Sequence, residues 1–262
     1  VHRSFVSAAA LLDLEVAWLY SEQNQLLSCP ITPDQVERAL TEAESLPVAL
    51  YLTSPDYPGN IADVSSLAKV CHNHGVLLLV DNAHGAYLRF LPESLHPLSL
   101  GADVCCDSAH KTLPALTGAG YLHISHTAPA LFSEQATRAM ALFASTSPSY
   151  LILESLDRLN PYLAEEYPRR LAEFIQKVDK LKARLTEAGF SSVGNEPLKL
   201  TVSPKSLGYT GSELVAYLAE NNMVCEFGDP DLAVMMLTPE MKEEDLNRLV
   251  WEKTHRLYGK NP

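Results

Sequence analysis

Short apolar runs alternate with helically spaced stripes through the first half of the chain. Residues 76–80, Val-Leu-Leu-Leu-Val, have no polar face, as expected of a strand buried on both sides in a parallel sheet. Residues 48–53 and 102–106 read as further strands. Between the first two, Val64, Leu67, Ala68 and Cys71 fall at i, i+3, i+4 and i+7, so the spacing predicts a helix over 61–74 with Gly75 as its C′ residue. Strand, helix, strand within about thirty residues is a βαβ unit, which calls for a crossover connection and a mainly parallel sheet. Upstream, 7–13 reads as helix and 16–20 as strand. Thr32-Pro33-Asp34-Gln35 opens another helix with a capping-box pattern, and Val36, Ala39, Leu40 and Ala43 form its stripe. Residues 118–124 read as a returning strand.

From residue 128 the pattern turns helical, over 130–144, 150–159 and a long charged amphipathic stretch, 165–188, that ends at Gly189. Strands at 198–202, 223–227 and 233–237 then alternate with helices at 211–221 and 242–257. The expectation is an α/β chain of two domains: residues 1–160 with a mainly parallel three-layer sheet, and residues 161–262 as a smaller α/β domain entered through a linking helix.

Composition narrows the partners. The chain has 262 residues, 47% of them hydrophobic, enough to bury a sizeable core. Its formal net charge of −12 argues against nucleic acid and anionic membrane surfaces. Five cysteines without CxxC spacing suit a reducing cytoplasm, and no apolar run reaches transmembrane length. Cys71, His72 and His74 lack a second ligand pair at finger-like spacing, so no metal is assigned. The chain begins at Val1, and His2-Arg3-Ser4 reads as mid-domain sequence, so an N-terminal part is expected to be missing.

Chemistry concentrates at two strand ends. Asp81 follows the apolar run of 76–80, and Ser108-Ala109-His110-Lys111 follows the strand 102–106. Ligands of open α/β sheets bind at the carboxyl ends of the strands. A pyridoxal phosphate enzyme needs a lysine for its imine and a carboxylate to keep the pyridinium nitrogen protonated; Lys111 and Asp81 have those types at those positions. On residue type alone, a capping aspartate and a solvated lysine remain the plainer reading.

Five motifs in order extend the pattern: Thr53-Ser54-Pro55-Asp56-Tyr57-Pro58-Gly59, Val80 to Ala86 (VDNAHGA), Gly101-Ala102-Asp103, Ser108 to Thr117 (SAHKTLPALT) and Thr146-Ser147-Pro148-Ser149-Tyr150. Together they closely resemble the bacterial ornithine/lysine/arginine decarboxylases of the aspartate-aminotransferase fold (fold type I), with a C-terminal part similar to the shorter arginine-decarboxylase-like members. The resemblance implies a pyridoxal 5′-phosphate enzyme that decarboxylates a basic L-amino acid, in a cytoplasmic homodimer or larger homo-oligomer. It implies Lys111 as the Schiff-base lysine, Asp81 as partner of the pyridine nitrogen, and Ala83 against the ring face opposite His2. Ser108 and His110 would serve the phosphate, and His84 would sit beside the ring. Lys111, His84 and His110 are the catalytic candidates, though for the two histidines a hydrogen-bonded core position is as good a reading as a direct catalytic role; for His2 the plainer reading is a frayed terminal residue. Ser147 and Ser149 could belong to a dimer-shared site or cap a helix, and Glu226 could meet a cationic substrate tail or lie on the surface.

Two departures stand out. The family's phosphate cup lies upstream of the stacking histidine and is absent here, and Gly118-Ala119-Gly120 replaces a bulkier Gln-containing version. Ser-x-His-Lys also occurs in cysteine desulfurases and other class V aminotransferase-like enzymes. Those follow the aspartate with Ala-Gln and the lysine with a Gly-Pro-Gly-like turn, where this chain has His84 and Thr112-Leu113-Pro114. That reading ranks second. A truncated, inactive relative serving as a binding or oligomerisation module is the non-enzyme alternative.

Overall fold

The computed structural model describes residues 1–22, 27–145 and 147–256, the last seven as backbone alone. The chain divides into two compact units, residues 1–57 with 62–165, and residues 58–61 with 166–262.

The first unit is built on a four-stranded sheet in the order β1 (Ala49–Thr53), β2 (Leu77–Asp81), β3 (Val104–Asp107), β4 (Tyr121–Ile124). The first three strands are parallel, and β4 returns antiparallel to β3. Helix α1 (Arg3–Leu11) and helix α2 (Pro33–Glu42) precede the sheet, and α3 (Val64–Asn73) is the crossover between β1 and β2. The capping box of α2 forms as the sequence predicts: Gln35 N donates to the Thr32 hydroxyl, and Thr32 N donates to the Gln35 side chain. Gly75, at φ +71°, closes α3 in the left-handed region. Val36, Leu40, Val64, Leu67, Cys71, Leu78 and Val80 form one buried cluster. Full burial of a Leu or Val side chain stabilises by about 1.5–3 kcal/mol, which secures the register of the central strands.

After β3 come α4 (Ala109–Thr112), a single turn, and after β4 the helices α5 (Ala130–Phe143) and α6 (Tyr150–Glu165). Helix α6 extends six residues beyond the predicted end, through Pro161.

In the second unit an antiparallel sheet runs in the order β5 (Ser191–Val193), β6 (Lys199–Ser203), β8 (Ala233–Met236), β7 (Phe227–Gly228). Its helices are α7 (Tyr167–Glu187), α8 (Gly211–Glu220) and α9 (Glu243–Arg256). Tyr167, Leu171, Phe174, Val178, Leu181 and Leu185 form the buried stripe of α7. Residues 58–61 join this unit: Asn195 N and Glu196 N both donate to Gly59 O, and Thr201 Oγ1 donates to Pro58 O.

Two predicted strands are corrected. Residues 16–20 pair with no strand among the described residues; Leu19 packs against the core cluster, but Trp18 is 46% and Tyr20 78% exposed, so the run has no sheet neighbour. Of 223–227 only Phe227 enters a strand, and Val224 points into solvent. Thr146 and Leu257, ends of predicted features, lie outside the described residues.

Candidate active site

Asp81 is the last residue of β2, and the chain turns directly after it. Asn82 N donates to Cys106 O at 2.9 Å, and Gly85 N donates to Asn82 O at 2.8 Å, so His84 is carried on a tight, buried corner. On the neighbouring strand end, Ser108 occupies the N-cap position of α4, and Lys111 N donates to Ser108 O at 3.0 Å. These two turns bring Lys111 Nζ within 3.3 Å of His84 Nε2. One proton lies between those nitrogens, since a lone pair on one must face an N–H on the other. The ring of Tyr57 meets the His84 ring edge-on, with centroids 5.8 Å apart.

Asp81 is buried, only 8% exposed. Its Oδ1 accepts from Ala83 N at 3.1 Å, and its Oδ2 accepts from the Tyr51 hydroxyl at 3.1 Å. Phe5 stacks on the Tyr51 ring at a centroid distance of 4.0 Å. Burial, and then the charge of Asp81, push the Tyr51 phenol well above its ordinary pKa, so it stays a donor.

Behind this corner lies a second carboxylate. Asp107 Oδ1 accepts from Asn82 Nδ2 at 2.7 Å, and its Oδ2 lies 3.1 Å from His96 Nε2 and 3.0 Å from His123 Nε2. Burial works against its charge, but hydrogen bonds from His123, His96 and Asn82 outweigh that penalty and hold the carboxyl at about 2.

The remaining predicted residues are placed as follows. Ser108 is half-buried, and its side chain makes no cap hydrogen bond. His110 Nδ1 lies 2.8 Å from Ala119 O; a carbonyl only accepts, so Nδ1 carries the proton. Ala83 is half-buried beside Asp81. His2 is exposed and caps α1, its Nδ1 accepting from Ser4 N at 3.2 Å. Ser147 and Ser149 are exposed ahead of α6, and Glu226 lies in the second unit, its backbone N donating to Val234 O. His72 and His74 pair with Asp103 and Glu37.

Sequence reasoning missed Tyr51, Asn82, His96, Asp107 and His123. The available signal was polarity within or beside strands otherwise apolar; which groups those polar atoms meet depends on the pairing of β1 with β2, β2 with β3 and β3 with β4, and on the turn at His96.

Residues 1–201 match the family described as Orn/Lys/Arg decarboxylase, major domain. The arginine decarboxylase of Bacillus subtilis is 32% identical over 267 residues, covering 95% of this chain and 54% of its own length. The uncharacterized protein YaaO of the same organism is 32% identical over 250 residues, covering 90% of this chain and 51% of itself. This chain therefore spans about half the length of the curated relatives it matches. A weaker match, 29% identity over 171 residues (62% of this chain, 42% of the relative), is to an O-phospho-L-seryl-tRNA:Cys-tRNA synthase of Methanosarcina acetivorans. Among solved structures, the constitutive lysine decarboxylase of E. coli superposes with a TM-score of 0.72 at 18% identity, covering 96% of this chain and 44% of that one. A NifS-like protein superposes with a TM-score of 0.73 at 15% identity, covering 98% and 72%. These likenesses show the fold, that of the fold type I pyridoxal phosphate enzymes.

The residues present fit two ends of pyridoxal phosphate. A buried, hydrogen-bonded carboxylate at the end of β2 suits the pyridinium nitrogen, and an amine beside an imidazole suits the carbonyl carbon. Thr53 Oγ1, in register with Asp81 across the strand pair, is buried with no hydrogen-bond partner among the described residues, so a polar group remains to be met there.

Proposed function

This chain belongs to the Orn/Lys/Arg decarboxylase family, and on that premise we propose that it is the site-bearing part of an enzyme that decarboxylates a basic L-amino acid, arginine foremost. The family's cofactor is pyridoxal phosphate. The observation that carries the reading is the approach of Lys111 Nζ to His84 Nε2 beside the buried Asp81 carboxylate.

Bound at this site, pyridoxal phosphate supplies an electron sink for the pair released when the Cα–carboxylate bond breaks. Everything else falls to the chain. Asp81 holds a proton at the pyridine nitrogen, and Tyr51 and Ala83 N fix the carboxylate's orientation. Lys111 would hold the cofactor through its Nζ, and its amine would deliver a proton at Cα. His84 supplies or takes that proton from Lys111 Nζ. Ala83 and His2 would flank the ring, and Ser108 and His110 would hold the phosphate. The buried Asn82 and Gly85 keep water from the corner.

A homodimer in the cytoplasm is part of the proposal. Its support is α5, which buries none of its residues and leaves Leu131, Leu142 and Phe143 exposed for a second copy to cover.

The test uses the full-length protein loaded with cofactor and supplied separately with arginine, lysine and ornithine. Carbon dioxide release, with the matching amine formed, is the expected result, fastest with arginine. No release from any of the three, together with sulfur or amino transfer, would overturn the assignment in favour of the class V aminotransferase or cysteine-desulfurase reading of Ser-x-His-Lys.

A further inference from the structure

We propose that His96 Nε2, Asp107 Oδ2 and His123 Nε2, with Cys105 Sγ as fourth ligand, form a structural zinc site on the far side of the Asp81–His84 corner. The topology assembles it from three separate pieces of chain. Cys105 and Asp107 stand two residues apart on β3 and so share one face of the sheet. His123 is the antiparallel partner of Cys105 on β4. His96 comes from the residue that precedes the short turn Pro97–Leu100.

The nitrogen and oxygen donors already stand near ligand-to-ligand distances, and Cys105 Sγ does so toward His96 alone. Zinc bound tetrahedrally to nitrogen and oxygen at about 2.0–2.1 Å separates such ligands by about 3.3 Å, and a sulfur ligand at about 2.3 Å lies about 3.6 Å from a nitrogen one. The observed separations are 3.1 and 3.0 Å between Asp107 Oδ2 and the two imidazole nitrogens, and 3.6 Å between Cys105 Sγ and His96 Nε2. All three nitrogen and oxygen donors lie within 4.8 Å of one another; Cys105 Sγ stands outside that set, 4.0 Å from Asp107 Oδ1, and turning its side chain would complete the site.

Charge points the same way. His96, Asp107 and Cys105 are buried, and His123 is partly open to solvent, which leaves a path for entry. The partners of Asp107 are His96, His123, Asn82 and Cys105, none of them a permanent cation. A divalent cation neutralises the carboxylate together with a Cys105 thiolate, leaving no net charge in the buried site. The cost is the two imidazole hydrogen bonds to Asp107 Oδ2, which the metal replaces, and one weak contact. Leu98 N donates to His96 Nδ1 at 3.4 Å, which favours a proton on Nε2; metal at Nε2 moves that proton to Nδ1 and gives the contact up. The site would tie the edge strand β4 to β3 and, through the Asn82–Asp107 hydrogen bond, hold the corner that carries His84.

The test is metal analysis and cobalt substitution of the full chain, stripped with a chelator and then dialysed. Expected are one Zn²⁺ or Co²⁺ bound per chain, tetrahedral cobalt bands in the visible, and a thiolate-to-cobalt charge-transfer band in the near ultraviolet. Cys105→Ser should remove the charge-transfer band, and His123→Ala should abolish binding, while His126→Ala, at an exposed histidine near the end of β4, changes neither. Should the variants fail to fold, X-ray absorption of the zinc-loaded wild type decides, with one sulfur expected at about 2.3 Å. Absence of metal uptake, octahedral cobalt, binding that survives His123→Ala, or no sulfur scatterer would each overturn the proposal.

Discussion

The Tyr51 hydroxyl donates a 3.1 Å hydrogen bond to Asp81 Oδ2 across the parallel pair β1–β2. Tyr51 is itself held by the stacked ring of Phe5, so an N-terminal helix steadies the carboxylate expected to face the cofactor nitrogen. Tyr51→Phe keeps the stacked ring and deletes one hydrogen bond to a charged group, worth about 1.5–3 kcal/mol. Cofactor affinity, followed by absorbance titration of the full-length protein, is expected to fall by about tenfold or more, with a lower thermal midpoint. An affinity equal to wild type would remove Tyr51 from the site.

Lys111 and His84 separate by experiment. Lys111→Ala is expected to abolish both turnover and the visible absorbance of covalently held cofactor. His84→Gln leaves Lys111 free to attach the cofactor and removes a proton-transfer partner, so that absorbance should persist while kcat drops by about 10²–10⁴. Retention of the lysine-bound absorbance in Lys111→Ala would refute the assignment of Lys111.

Gly85→Ala tests the corner. A Cβ there would collide with Asn82 Oδ1 and come within 2.8 Å of Leu88 Cδ1 and Pro55 Cδ, all in a buried setting. Overpacking of this kind costs about 1–3 kcal/mol. Urea unfolding should register that loss, and His84 should be displaced enough to slow turnover. A variant as stable and as active as wild type would show that the corner yields easily.

Asp63 caps α3, with Oδ1 accepting from Ser66 N at 3.0 Å. Hydrogen bonds from the Ser66 side chain and backbone hold its carboxyl below the usual value of 3.8. A depressed folded-state pKa stabilises the fold above the unfolded value, and that contribution disappears as pH falls through the folded one. Asp63→Ala should therefore cost about 1 kcal/mol near neutral pH, with the gap from wild type closing below the usual carboxylate range. Denaturant midpoints measured across that range check the sign.

What was local in cause was legible in the sequence. The Thr32–Gln35 capping box, the α3 stripe ending at Gly75, the apolar run of β2 and the buried face of α7 each depend on neighbours within a few residues. The apolar runs likewise place Asp81 at one strand end and Lys111 just past another. Tertiary structure decided what alternation and propensity cannot encode. Among the described residues it left 16–20 without a neighbouring strand, and it turned β4 antiparallel against β3. It faced His110 Nδ1 toward Ala119 O rather than leaving both ring nitrogens for a ligand. It also gathered His96, Asp107 and His123 around one carboxylate oxygen, a meeting of side chains from residues 96, 107 and 123 that only the register of β3 against β4 and the turn at His96 bring about.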